Sequence, residues 1–357
     1  MLSSPTELSV QTLDKLVVLN LDLRKKILTG VIMKFPRRSF LQMALGASAL
    51  SAVSRISWAQ AYPSRPARIV VGFAAGGATD IQARLVGQWL SERLGQQFIV
   101  ENRAGASGNI ATEAVIKAPP DGYTLLQIVT PHAINAALFT DLNFDFKRDI
   151  TPVICTARLA YVVVVHPSVP AKTMPEFIAY AKANPGKINY GSAGQGTPQN
   201  ITCELFKMMT GLNLVHVPYK GGATAVADLI AGHIQVVFAP LSESIQQIKA
   251  GKLRALAVTT ASRLDVLPDI PTVGEFVPGY EASGFAGIGA PKDTPTEIIN
   301  MLNKEVNLGL ADSKIQARIT ELGGTVLGGT PAEFGTIIAE ATEKWTKVIK
   351  FAGIKPE

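Results

Sequence analysis

The chain has 357 residues, 47% hydrophobic and 17% charged, with 31 glycines and 22 prolines, a balance that suits an α/β protein of about two domains with a sizeable core. Its formal charge of +6 does not point to a nucleic-acid partner. Residues 33–61 hold Lys34, Arg37, Arg38 and Arg55 with no acid, and residues 1–32 are basic by one further charge, so the 62–357 remainder carries only +1 and no basic patch.

Taken in chain order, the first predicted feature is a leader. From Met33 the sequence reads MKFPRRSFLQMALGASALSAVSRISWAQA: a positive start, an apolar small-residue middle, and Ala59-Gln60-Ala61 in the A-x-A form of a signal peptidase site. This predicts export with cleavage after Ala61, a start at Met33, and residues 1–32 as an over-extended reading frame, so 1–61 is set apart from the fold. Arg37-Arg38 followed by Ser39-Phe40-Leu41 resembles a twin-arginine signal, whereas Pro36 and Gln42 depart from its usual flanks; twin-arginine and Sec export both stay open. No later segment reaches the roughly 20 uninterrupted apolar residues of a membrane span. No cysteine stands at the N-terminus that cleavage would leave, so none is placed to carry a lipid. The mature chain is therefore expected to be soluble and periplasmic. Cys155 and Cys203 fit neither a metal site nor a CxxC pair; two separately buried thiols are expected, with one disulfide as the alternative.

RIVVGF (68–73) reads as a strand, and 79–95 as a helix with Ile81, Leu85, Trp89, Leu90 and Leu94 on its apolar period. A strand at 98–102, a helix at 108–118, a PPDG turn and a strand at 123–129 follow, and this alternation predicts a parallel sheet covered by helices on both faces. After a less regular stretch through 153, YVVVVH (161–166) reads as a fully buried strand and the pattern restarts: strand 188–192, helix about 198–210, strand 214–219, helix about 224–231, strand 234–240, helix through 249, strand 253–260. The tail is helical at about 295–310, 313–322 and 331–350 and is expected to pack back on the first domain. With no low-complexity linker between the runs, the expectation is two lobes joined by crossing strands, 62–163 plus about 285–357 as the first and 164–284 as the second.

Two stretches of small residues stand out, GFAAGGATD (72–80) and YGSAGQGTPQN (190–200), each leaving a strand and entering a helix. Ligands of open α/β sheets bind beyond the carboxyl ends of the strands, where both loops lie. Glycines let backbone approach a ligand closely, and each following helix offers unpaired N–H groups and a positive dipole end, so an anion is favoured. Neither G-x-x-x-x-G-K-[ST] nor G-x-G-x-x-G is present, which disfavours a nucleotide phosphate. Asp80, in the first helical turn, reads either as a dipole-satisfying acid or as a cleft residue. Catalysis finds no motif: no HExxH, no G-x-S-x-G and no carboxylate pair picked out by spacing. Of His132, His166, His216 and His233, His132 is best placed to reach a cleft. No catalytic residue, metal or cofactor is expected.

The order GFAAGGATDIQAR, VENRAGASGNIATEAVIKAPPDGYTL, HAIN, INYGSAGQGT, VPYKGGATAVADLIAGHI, GKLRALAVTT and LPDIPTVGE resembles the substrate-binding receptors of tripartite tricarboxylate transporters, the Bug (Bordetella uptake gene) or TctC-like family, from about Pro63 almost to the C-terminus. The resemblance implies a two-lobed, type II-like periplasmic binding protein, monomeric and not an enzyme, that closes on a small carboxylate and delivers it to integral-membrane permease subunits. Carried over by position, it implies ligand contacts from Phe73, Ala74, Gly76, Gly77 and Asp80 in the first loop and Ser192, Ala193, Gly194, Gly196 and Thr197 in the second, with Thr130 and Asp228 as further candidates. Phe73, Thr130 and Phe285 are expected at the far end of the cleft. The chain departs from the family at Gln199-Asn200-Ile201, where a Ser-His-Leu-like run is common, at Gln235, where an acid is frequent, and at Phe285, where a tryptophan is frequent. These departures leave uncharged amides near the site, so ligand identity is not carried over. Two alternatives are a periplasmic ligand sensor feeding a two-component system and a periplasmic hydrolase or isomerase using Asp80 or His132.

Overall fold

The apolar run Ala67–Val71 forms the first strand, β1, and the chain then alternates as its periodicity dictates. The computed structural model describes residues 62–139 and 141–356; the leader, the Met33 start, the Arg37-Arg38 pair and the Ala61 cleavage site lie outside the described residues. After β1 come α1 (Ala78–Leu94), β2 (Phe98–Asn102), α2 (Asn109–Ile116), β3 (Thr124–Val129), α3 (Thr130–Leu138), the single turn α4 (Phe146–Asp149) and β4 (Ile150–Leu159). A second series follows: β5 (Tyr161–Val165), α5 (Met174–Ala183), β6 (Asn189–Ser192), α6 (Pro198–Thr210), β7 (Val215–Pro218), α7 (Gly222–Ile230), β8 (Val236–Pro240), α8 (Leu241–Lys249) and β9 (Arg254–Val258). The chain returns through β10 (Gly284–Pro291), α9 (Thr296–Leu310), α10 (Ser313–Glu321), β11 (Gly324–Val326) and α11 (Pro331–Ala352). Among the described residues no helix is long and apolar enough to cross a membrane.

The strands form two sheets, ordered β11-β4-β10-β3-β1-β2 and β7-β6-β8-β5-β9. Each is mixed, where mostly parallel sheets are expected from the sequence. β1 pairs in parallel with β2 and β3, but β10 runs antiparallel to both β3 and β4. In the second sheet β6 is parallel to β7 and β8, and β5 is antiparallel to β8 and β9. The cause is the crossing itself. β5 and β10 each begin where the chain has just changed sheets, at the end where their neighbours finish, so they must run the opposite way. All of β5 pairs in the second sheet and Gly284 already pairs in the first. The chain therefore changes sheets at Ala160 and again ahead of Gly284, whereas the expected boundary at 163/164 divides β5. The run YVVVV carries no mark of its own start, because every residue in it is buried.

The C-terminal helix reaches further than expected. It packs on α3 and β4 of the first lobe and also on α6 of the second. Phe334, Ile338, Trp345 and Ile349 share one hydrophobic core with Ile134 and with Ile201 and Leu205. That close seat requires Gly287 in β10, where a methyl group would run into the Ile154 carbonyl and the Phe334 ring.

Candidate functional site

The first loop leaves β1 at Gly72, where a methyl group would stand 2.6 Å from the Gly108 Cα, so only glycine fits. Gly76 adopts a left-handed φ of 81° and donates its N–H to Asp80 Oδ2 at 2.9 Å. The same oxygen accepts from Arg84 Nε at 2.9 Å, and Oδ1 accepts from Asn102 Nδ2 at 2.9 Å; that amide also donates to the Phe73 carbonyl at 3.1 Å. Burial works to raise the Asp80 pKa, but the bonds from Arg84, Gly76 and Asn102 outweigh it and hold the carboxyl below its ordinary range. Asp80 is thus an ionised brace that fixes the loop at the N-terminus of α1. Gly77 caps α1 with an ordinary φ of −76° and no side-chain bond.

The second loop is braced on the same plan without a charge. Gly194 and Gly196 take left-handed φ values of 122° and 72°. The Gly196 N–H donates to Asn200 Oδ1 at 2.9 Å, and Asn200 Nδ2 donates to the Tyr190 hydroxyl at 2.8 Å. That hydroxyl in turn donates to Glu204, which Lys207 pairs at 2.7 Å. Ser192 is fully buried beneath the loop, its Oγ 2.7 Å from His216 Nε2 and 3.0 Å from the Gly194 carbonyl. Thr197 donates to that carbonyl at 2.7 Å and caps α6, with Pro198 as its first residue. Proline has no N–H to lose there, and the next N–H groups of the turn have no carbonyl four residues back within the helix.

Between the loops lies a cleft of about 520 Å³. Phe73, Ser107, Pro131, Asn135, Leu138 and Phe139 line it from the first lobe, and residues 193–199, Pro240 and Glu243 from the second, with Tyr161 at the crossing. Ser107 holds a left-handed φ of 53°, uncommon for a residue with a side chain, and its carbonyl is fixed by Asn135 Nδ2 at 2.9 Å. Glu243 is the sole charged side chain lining the cleft among the described residues. It is open to the cleft yet crowded by protein on either side, so lost solvation raises its pKa, against a bond from Gln199 Nε2 at 3.1 Å.

Of the residues singled out from the sequence, Phe73, Ala193, Gly194, Gly196 and Thr197 line this cleft. Ala74, Gly76 and Gly77 are exposed on the first loop outside the lining, and Asp80 has both oxygens engaged in bracing. Thr130 is buried, accepting the Phe285 N–H at 2.9 Å and so tying the start of α3 to β10, while Phe285 packs edge-on against Phe334. Ser192 supports the loop from below. Asp228 accepts from the Tyr219 hydroxyl at 2.8 Å, away from the lining. His132 is buried against Phe146, its Nδ1 2.9 Å from the Val129 carbonyl; burial pushes its pKa down to about 4, against that backbone bond. The lining residues missed from sequence include Gln199, Glu243, Tyr161, Asn135 and Leu138. Gln199 stood within a noted departure from the family pattern. Glu243 gave no signal, since an acid in the first turn of a helix is ordinarily a dipole-satisfying residue. Cys155 and Cys203 are free, buried thiols.

The family described as the tripartite tricarboxylate transporter family receptor, TctC, matches residues 82–354. Protein BugT of Bordetella pertussis is 33% identical over 83% of this chain and 92% of its own length. Among solved structures, R. palustris Rpa4515 with adipate is 39% identical with a TM-score of 0.73, covering 83% of this chain and 100% of its own. MatC of Rhodopseudomonas palustris with bound malate is 30% identical with a TM-score of 0.69, over 81% of this chain and 100% of its own.

Proposed function

Because the chain belongs to the tripartite tricarboxylate transporter receptor family, we propose that its cleft binds one small carboxylate on the backbone of the two glycine loops and presents it to membrane permease subunits. The observation that carries this reading is the pair of matched loops, each braced by a side chain four residues on, with the first turn of a helix behind it. No lysine or arginine lines the cleft among the described residues, so convergent backbone donors must offset the ligand's charge. In the second loop the N–H groups of Ala193 and Gln195 have no hydrogen-bond acceptor among the described residues and are free for this task. The adipate and malate bound by Rpa4515 and MatC support a small carboxylate as the ligand class.

The protein acts after export to the periplasm, by the twin-arginine or the Sec route, as a soluble monomeric receptor. It performs no catalysis. Of the two serines hydrogen-bonded to a histidine among the described residues, Ser192 is fully buried and engaged with its own loop and Ser168 pairs with His166 outside the cleft lining, while His132 lies in the core. A melting series of the purified protein against mono-, di- and tricarboxylates, aromatic acids and amino acids tests the reading. A ligand at 100 times its Kd adds about 2.7 kcal/mol of stability. A carboxylate that shifts Tm while its amide does not is the expected result; a panel in which amides shift it equally would refute carboxylate recognition.

A further inference from the structure

The second-lobe wall of the cleft carries an acid with no cation beside it among the described residues. Glu243, in the first turn of α8, accepts from Gln199 Nε2 at 3.1 Å and forms no ion pair with a lysine or arginine among the described residues. Gln199 is 3% exposed, lines the same cleft, and has a buried Oε1 with no partner among the described residues. Its amide orientation follows from chemistry, because the opposite assignment would set Oε1 against a carboxylate. Gly222, the first residue of α7, makes room for the pair: a methyl group there would strike both Glu243 Oε2 and Gln199 Nε2. The Glu243 carboxylate and the Gln199 amide thus meet at the cleft wall, the first without a cation and the second with a buried oxygen that lacks a donor among the described residues.

From this juxtaposition we infer that Glu243 and Gln199 form an ammonium subsite, and that the ligand is a zwitterion, a carboxylate that also bears a protonated amine. The inference rests on the proposed function, which supplies the carboxylate end at the loops. An ammonium completes the wall: it pairs with the Glu243 carboxylate and, with a small turn of the amide, gives the Gln199 Oε1 its donor. The ligand then adds no net charge to the site, since its carboxylate meets the backbone donors and its ammonium meets Glu243. A second ligand carboxylate in its place would face Glu243 with no cation between them. Lost solvation raises the Glu243 pKa, and a cation beside the carboxylate would act against that shift.

The test is calorimetric titration of the purified protein with amino acids from glycine to 6-aminohexanoate, each run beside the monoacid and diacid of equal length. At the best length the amino acid is expected to bind about 30-fold more tightly than the diacid, the scale of a hydrogen-bonded charge pair. Glu243→Gln is expected to bring the amino acid to the affinity of the monoacid while leaving the unliganded Tm unchanged or higher. Gly222→Ala, which displaces only the flexible ends of two side chains, should cause the same loss. Diacids that bind as tightly as amino acids, or an amino-acid preference that survives Glu243→Gln, would overturn the subsite. If diacid binding disappears in Gly194→Val, the carboxylate reading stands and only the subsite falls; if no carboxylate of any kind binds, both fall.

Discussion

The two glycine loops do one task with different chemistry. In each, a glycine N–H is tied to the side chain four residues later, Gly76 to Asp80 and Gly196 to Asn200, both at 2.9 Å. The first brace is ionic and leans on Arg84. The second is neutral and leans on Tyr190. A histidine supports each from below: His132 stands edge-on to Phe73 at 6.3 Å, and His216 stacks on Tyr190 at 4.8 Å. The loop whose wall bears the unpaired Glu243 is the one braced without charge, so the cleft gains no further anion from its own scaffold.

The largest effect separates required glycines from permissive ones. Gly194→Val forces a β-branched residue into a φ of 122° and should cost about 1,000-fold in affinity. Gly77→Val keeps an ordinary φ of −76°, and a Cβ there would meet only the Ala74 carbonyl at 3.5 Å. Its affinity should stay within about 3-fold. Titration of both variants checks the contrast, and equal losses would break it.

Next comes the support beneath the first loop. His132 has a pKa of about 4 in the fold against 6.5 when unfolded. Between those values the unfolded chain binds more protons, so stability is full above pH 6.5 and falls as pH drops toward 4. The loss is about 3 kcal/mol. Chemical denaturation across that window measures it, and His132→Asn should flatten the slope.

The braces themselves differ less. Asp80→Asn loses the charge that three donors share and should cost about 2 kcal/mol, and Asn200→Ala about 1 kcal/mol. Their pH responses set them apart. Asp80 titrates below its ordinary 3.8, so its contribution is present above that value and lost as pH falls through the lower folded value. Asn200 has no such dependence. The smallest effect is Arg84→Ala, whose half-exposed ion pair should be worth under about 1 kcal/mol by denaturation.

Much of this was legible in the chain, and the gaps have physical causes. The alternation from 68 to 129 matches β1 to β3 within a residue or two, because each strand is apolar and each break carries Gly, Pro or Asp. β4 was missed: Pro152 interrupts it, and register shifts against β10 break its period. β10 was missed because GFAGIGAP is glycine-rich, and its glycines admit Phe334 and other side chains instead of marking a turn. The loops were found from composition, but Gly76 and Gly77 are indistinguishable in sequence; only the sign of φ assigns the strained position to Gly76. Glu243 and Gln199 meet through Gly222, from three separate helices, and no spacing records that encounter.

The most direct measurement is titration of wild type and Gly194→Val with a binding carboxylate and its matched amide. The account predicts tight binding of the acid to wild type, weak binding of the amide, and loss of the acid in the variant. An amide that binds as well as the acid, or a variant that keeps its affinity, would contradict a carboxylate held on the loop backbone.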